Sequence, residues 1–259
     1  MVENISHFLD KFVQKHIKSR PENENAYRLK IEHTRRVTEE TVKIGKAIGL
    51  DNCQLSIARI CAILHDIGRF EQYARYETFA DRKSENHAKL SAKIIERENI
   101  LTEIPSPYDE LIIYAVANHN IIKIEENCDA EKNLYLKLLR DADKIDILNV
   151  FLLQDHSKDG ISAIIDLGLP DNGKISDKIY NALMNHRTAS YRDIRSIADF
   201  RLLKIAWVFD LYFKPSYDIF QKRGYLRLLR KMLPQNSRVD EIFIEVQNYA
   251  REKFMKGES

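Results

Sequence analysis

Apolar residues recur along this chain with the period of an α-helix. Over residues 4–18 they stand at Ile5, Phe8, Leu9, Phe12 and Val13, the i, i+3, i+4, i+7, i+8 stripe of one buried helix face. A polar break from Pro21 to Asn25 follows. The spacing of Ile31, Val37, Val42, Ile44 and Ala47 then predicts a second helix from about Tyr27 to Ile48, stopped by Gly49. Leu55 to Asp66 is apolar on nearly every side and reads as a helix at the centre of a domain, with Gly68 at its exit. Residues 75–84 read as a polar loop, after which Ser84 is expected to cap a helix carrying His87, Leu90, Ile94 and Ile95. Pro105 and Pro107 punctuate the chain before two further helices, at about 108–118 and 131–153. Helical periodicity continues near 161–167, 175–186, 194–213, 217–233 and 238–254, with breaks at Pro170, Gly173, Pro215 and Pro234. No repeat, low-complexity tract or linker interrupts this pattern. Residues 1–259 therefore read as one all-α domain, a helical bundle whose chemistry lies in a core over 27–155, with extra helices over 156–259.

Composition supports the helical reading, because 8 Gly and 6 Pro in 259 residues leave too few turn formers for an all-β or α/β protein. A net charge of +2, from 41 Lys+Arg against 39 Asp+Glu, gives no reason to expect a nucleic-acid polymer as partner. No uninterrupted apolar run reaches the roughly 18 residues of a membrane span, so no membrane partner is expected. The first residues lack the basic and then apolar order of a secretory signal, and residence in the cytosol is expected. Cys53, Cys61 and Cys128 are odd in number and lack Cys-x-x-Cys spacing, which argues against a disulfide framework and a zinc knuckle alike. Trp207 lies in a dense apolar run and reads as core, and the cluster Lys222, Arg223, Arg227, Arg230 and Lys231 reads as a solvated face.

The chemistry concentrates in histidines and carboxylates. His65-Asp66 ends the central apolar helix, where a titratable and a charged side chain are costly unless they have partners. A divalent cation removes that cost, since neutral imidazole and carboxylate are both ligands and the ion supplies the compensating charge. His33, His87, His119 and Asp143 are the other candidates, whereas His7, His16, His156 and His186 lack comparable surroundings.

The ordered set His33, His65-Asp66 and Asp143 resembles the HD superfamily of metal-dependent phosphohydrolases over about residues 30–150. The resemblance is carried by Glu-His-Thr-Arg-Arg-Val, Ile-Leu-His-Asp-Ile-Gly-Arg-Phe and Asp-Ala-Asp-Lys-Ile-Asp. It implies an all-α HD bundle in which His33, His65, Asp66 and Asp143 hold one divalent cation. His87, in Asn-His-Ala-Lys-Leu-Ser-Ala, and His119, in Ala-Asn-His-Asn, stand where multi-metal members carry extra ligands. A second cation sharing Asp66 would lie on the order of 3.5–4 Å from the first. One or two ions per chain are thus implied, with Mn, Fe, Co, Ni, Mg and Zn all compatible with these ligand types.

The implied reaction is hydrolysis of a phosphoester, phosphodiester or pyrophosphate bond in a small phosphorylated substrate, a nucleotide, by metal-activated water. Asp66, His65 and Arg69 form the expected catalytic group. Arg69 is expected to clamp a substrate phosphate with its bidentate fork, and Arg75, Arg82 and Lys144 to touch substrate as well. Asp146 and Lys144 flank Asp143 and read as groups that orient a ligand. Asn120 and the lack of a Gly-Tyr-Pro motif depart from the members that cleave cyclic di-GMP. The six-residue set is similar instead to that of HD-type dinucleoside-tetraphosphate hydrolases. Two other readings stay open: a mononuclear nucleoside monophosphatase with His87 and His119 as spectators, and a metal-stabilised regulatory protein that binds a nucleotide without turnover.

Overall fold

A computed structural model gives the fold of residues 1–125, 129–153 and 169–255. Regular structure among these residues is helical, with no strand. They group into two compact units, Met1–Asp146 and Ile147–Ser259. The first contains α1 (Val2–Ser19), α2 (Glu24–Ala47), α3 (Asn52–Leu64), α4 (Gly68–Tyr76), α5 (His87–Arg97), α6 (Tyr108–Asn118) and most of α7 (Ala130–Leu153). The division between the units falls inside α7.

α3 is the centre of the first unit and packs against α1, α2 and α6. Its start is set by a capping box: Asp51 accepts from the Gln54 amide at 2.8 Å, and the Gln54 side chain accepts from the Asp51 amide at 3.1 Å. Beyond the cap, Leu55, Ile57, Ala58, Ile60, Cys61, Ala62, Ile63 and Leu64 are all buried. Each fully buried Ile or Leu side chain contributes about 1.5–3 kcal/mol. That apolar run carries His65 and Asp66 into the interior at the turn between α3 and α4.

Gly68 opens α4 rather than closing α3, and it does so because two helices meet there. A Cβ at this position would stand 2.5 Å from the His87 carbonyl oxygen and 2.7 Å from the Ser91 nitrogen. The Gly68 N–H donates to Ser91 Oγ at 2.9 Å, and that hydroxyl donates to the His65 carbonyl at 2.7 Å. The start of α5, with His87, is thereby tied to the turn that holds His65 and Asp66.

Two sequence expectations are corrected in this region. The segment Gly68–Tyr76 is helical, a helix the periodicity did not reveal because its buried face includes the polar Gln72 beside Phe70. The cap of α5 is Asn86, whose Oδ1 accepts from the Lys89 amide at 3.0 Å, and not Ser84. Ser84 instead accepts from Gln72 Nε2 at 2.8 Å and donates to the Ala80 carbonyl at 3.0 Å. The other expected helices of this unit lie within a few residues of their predicted spans.

The second unit holds α8 (Asp177–Met184), α9 (Ile197–Ala206), α10 (Lys214–Lys222), α11 (Tyr225–Lys231) and α12 (Ser237–Phe254) around a core that includes Leu183, Leu202, Phe220, Leu229 and Ile242. The expected helix over 194–213 stops at Ala206 and tightens into a 3₁₀ turn at Trp207–Asp210, and Pro215 begins α10 in its first turn, where proline is tolerated. The expected helix over 217–233 divides at Gly224, whose φ of +67° is a left-handed conformation that interrupts helical geometry. Trp207 packs against this core, its ring centroid 4.0 Å from Lys204 Nζ. Cys53 and Cys61 are free thiols, one exposed and one buried. The expected helix over 161–167, His156 and Cys128 lie outside the described residues. No helix among the described residues is long and apolar enough to cross a membrane.

Replacing Gly68 with Ala forces the α4–α5 approach apart. Overpacking of this kind costs about 1–3 kcal/mol. We expect the urea midpoint of Gly68→Ala to fall accordingly at an unchanged slope.

Candidate metal centre

Six side chains from five places in the first unit converge: His33 on α2, His65 and Asp66 on the α3–α4 turn, His87 at the start of α5, His119 at the end of α6, and Asp143 on α7. All but Asp143 are buried, and Asp143 is mostly so. Their donor atoms form two groups compatible with a metal ion, His33–His65–Asp143 and Asp66–His87–His119.

The four imidazoles share one arrangement. His65 Nδ1 lies 2.7 Å from the Ala62 carbonyl and His119 Nδ1 lies 2.7 Å from the Val116 carbonyl. His33 Nδ1 lies 2.7 Å from Asp146 Oδ2, and His87 Nδ1 lies 2.7 Å from Asp81 Oδ2. Each of these partners accepts, so each Nδ1 carries a ring proton and each ring turns its Nε2 inward. Asp66 receives both pairs. Its Oδ2 is 3.7 Å from the Nε2 atoms of His33 and His65, and its Oδ1 is 3.5 Å from His87 Nε2 and 4.0 Å from His119 Nε2.

This donor set fits a divalent cation. His87 Nε2 and His119 Nε2 face each other at 3.0 Å, and His33 Nε2 faces Asp143 Oδ1 at 3.1 Å. In the neutral tautomers these are contacts between lone pairs, which repel unless a proton or a metal ion lies between them. Protonating the first pair is opposed by burial and by neighbouring positive charge: burial and Arg69 lower the pKa of His87, and burial, His87 and His65 depress that of His119 to about 3. His65 Nε2 is buried and has no hydrogen-bond partner. An orphaned imidazole nitrogen aimed at two carboxylates is what a metal ligand leaves when the ion is taken away.

The carboxylates are held ionised. Burial penalises the charge of Asp66, yet Lys30, His65 and Arg69 together keep its pKa well below the usual carboxylate range. Lys30 Nζ donates to Asp66 Oδ2 at 2.9 Å and Arg69 Nε donates to Oδ1 at 3.3 Å. Against burial, the hydrogen bond and charge of His33 hold Asp143 far down in the same way. Asp81 is depressed to about 2, burial again opposing and His87 and Arg69 prevailing. For His33, burial disfavours the charged ring, but the hydrogen bonds to Asp143 and Asp146 win and raise its pKa.

Around the six residues stands a set of fixing groups. Asp146 is gripped by Arg36 through Nε at 2.7 Å and Nη2 at 3.2 Å, which aims it at His33. Arg140 Nη1 donates to the His119 carbonyl at 2.9 Å. Asn120 donates to Asp81 at 3.2 Å and to Asn86 at 3.1 Å. Arg69, besides Asp66, bonds Gln72, Asp81 and the Phe79 carbonyl through Nη1. Lys144 is buried on α7. Arg75 pairs with Glu71 and Glu85, and Arg82 is exposed on the 3₁₀ turn Asp81–Lys83. The sequence reading overlooked Lys30, Arg36 and Asp81. Lys30 and Arg36 were within reach of it, since they lie three residues either side of His33 on the same helix face. Asp81 lies in a loop where no periodicity marks it.

Residues 31–148, which contain all six side chains, match the family model described as HD domain. This part of the chain is an HD domain, the fold of a superfamily of metal-dependent phosphohydrolases. No curated protein and no solved structure matches the chain.

The shifted histidines give a pH dependence in chelator-treated protein. A folded-state pKa below the unfolded value of about 6.5 means the unfolded chain binds more protons, so stability is lost as pH falls through that value. His65, His87 and His119 act in this sense and His33 in the opposite one. We expect the urea midpoint of the chelated protein to drop between pH 7.5 and 5.5, and the drop to be smaller in His119→Asn.

Proposed function

We propose that this chain is a binuclear metal-dependent phosphohydrolase acting on a phosphoester, phosphodiester or pyrophosphate bond of a nucleotide. The observation that carries the reading is the placement of Asp66, with one carboxylate oxygen toward His33 and His65 and the other toward His87 and His119. His33, His65 and Asp143 would hold one ion, His87 and His119 the other, and Asp66 both. Bound divalent cations supply an activated water nucleophile near neutral pH and positive charge for the phosphate oxygens.

The chain's own groups prepare that chemistry. Asp146, Asp81 and the carbonyls of Ala62 and Val116 each take an Nδ1 proton and so keep the four Nε2 atoms directed inward. Burial of the ligands excludes bulk water and strengthens each charge interaction in the site. Lys30 brings a positive charge to the site and uses one of its three N–H donors on Asp66, leaving the others for a phosphate oxygen. Arg69 supports the same carboxylate and, with Nη1 engaged three times, serves the site mainly by holding Asp66 and Asp81 in place.

The test is a metal-stripped preparation refilled separately with Mn²⁺, Fe²⁺, Co²⁺, Ni²⁺, Mg²⁺ or Zn²⁺ and assayed on a chromogenic phosphodiester and a nucleotide panel. We expect metal-dependent release of phosphate or nucleotide, and loss of both bound metal and turnover in Asp66→Ala. Metal binding and ligand-induced thermal stabilisation without any product would contradict hydrolysis and favour a nucleotide-binding regulator. A single ion unaffected by His87→Ala and His119→Ala would contradict the binuclear reading and favour a mononuclear monophosphatase.

A further inference from the structure

Three of the four inward-facing histidines are fixed by helices. His65 and His119 bond carbonyls three residues back in their own helices, and His33 bonds Asp146 of α7, itself clamped by Arg36 of α2. His87 differs from them. Its Nδ1 bonds Asp81, which belongs to the connection between α4 and α5 and stands on the 3₁₀ turn Asp81–Lys83.

Asp81 gathers four donors that come from three directions. Besides His87 Nδ1, it accepts from Arg69 Nη1 at 3.0 Å, Gln72 Nε2 at 3.0 Å and Asn120 Nδ2 at 3.2 Å. The Arg69 link leads to Asp66, because Arg69 Nε donates to Asp66 Oδ1, the oxygen that faces His87 and His119. The other oxygen, Oδ2, is held by Lys30 and faces His33 and His65. Asn120 is the residue that follows His119. Asp81 therefore touches one member of the Asp66–His87–His119 group directly, a second through Arg69, and the chain neighbour of the third. None of these links leads to His33, His65 or Asp143.

We propose that Asp81 is a positioning residue for the second ion alone, so that occupancy of the Asp66–His87–His119 group depends on the α4–α5 connection while the His33–His65–Asp143 group does not. This rests on the binuclear reading above and adds an asymmetry to it. One ion belongs to a framework fixed by helices, and the other comes and goes with the order of a short connecting segment. Any ligand or contact that reorders residues 77–86 would set the number of ions bound.

The experiment is Mn²⁺ binding to the stripped full chain by titration calorimetry, with electron paramagnetic resonance to detect spin-coupled ion pairs. For the unaltered protein we expect two ions and a coupled signal. In Asp81→Ala the first ion should bind as before and the second should weaken by about 10–100-fold, the usual effect of losing a carboxylate behind a ligating histidine. At one to two equivalents the coupled signal should be replaced by that of isolated Mn²⁺. Asp81→Asn keeps an oxygen acceptor for the His87 ring proton, so it should weaken the second ion less, and it serves if the alanine variant misfolds by circular dichroism. Two ions bound by Asp81→Ala, or by Asp81→Asn in its place, with unchanged affinities would overturn the assignment and leave the binuclear reading standing. Equal weakening of both ions would also overturn it. A single ion in the unaltered protein would overturn both.

Discussion

A buried carboxylate is stable as an anion only when positive charge surrounds it, and the first unit is organised around that requirement at Asp66. Lys30 and Arg69 each take one of its oxygens, and four imidazole nitrogens stand around it at 3.5–4.0 Å. Two lysine and arginine hydrogen bonds satisfy the anion, but they do nothing for the imidazole lone pairs that face one another. Those are satisfied by cations, and burial works against protons in that role at His87 and His119. The charge problem of Asp66 and the lone-pair problem of the histidines thus share one solution that this donor set fits, divalent metal.

Bringing such a set together takes structural work that is visible in the packing. Beyond its cap α3 buries eight side chains between Leu55 and Leu64, and that burial carries the polar dyad at its end into the interior. Gly68 lets α4 and α5 approach until Ser91 bridges them to the His65 carbonyl, which brings His87 within reach of Asp66. Each ring is then oriented from behind. Orientation from helix carbonyls is rigid, because the acceptor moves with the ligand. Orientation from Asp81 is conditional, because the acceptor lies in a connecting segment.

Much of this was legible in the sequence, and the reasons are specific. The helical period exposed α1, α2, α5, α6 and α7 through their recurring apolar positions, and α3 stood out as a run apolar on nearly every side. The six converging side chains were legible because His65-Asp66 interrupts an apolar run and the remaining strings resemble a known metal-binding order. α4 was not legible, since Gln72 takes a buried position that the pattern reserves for an apolar residue and then uses its amide on Asp81, Ser84 and the Glu85 carbonyl. Asp81 was hidden for the same kind of reason: its partners come from α4, α5 and the segment after α6, so its importance exists only in three dimensions. Arg69 was read as a phosphate clamp from its chemistry alone, whereas its observed bonds are to Asp66, Gln72, Phe79 and Asp81.

We propose that the inward Nε2 atoms and the carboxylates of Asp66 and Asp143 hold two divalent ions. Anomalous diffraction from crystals of the full chain grown with Mn²⁺, collected on both sides of the metal edge, tests it most directly. Two anomalous peaks are expected, one among His33, His65 and Asp143 and one between His87 and His119, with one Asp66 oxygen on each. No peak at these residues, or a single peak with His87 and His119 turned away from it, would rule out a shared binuclear site at Asp66.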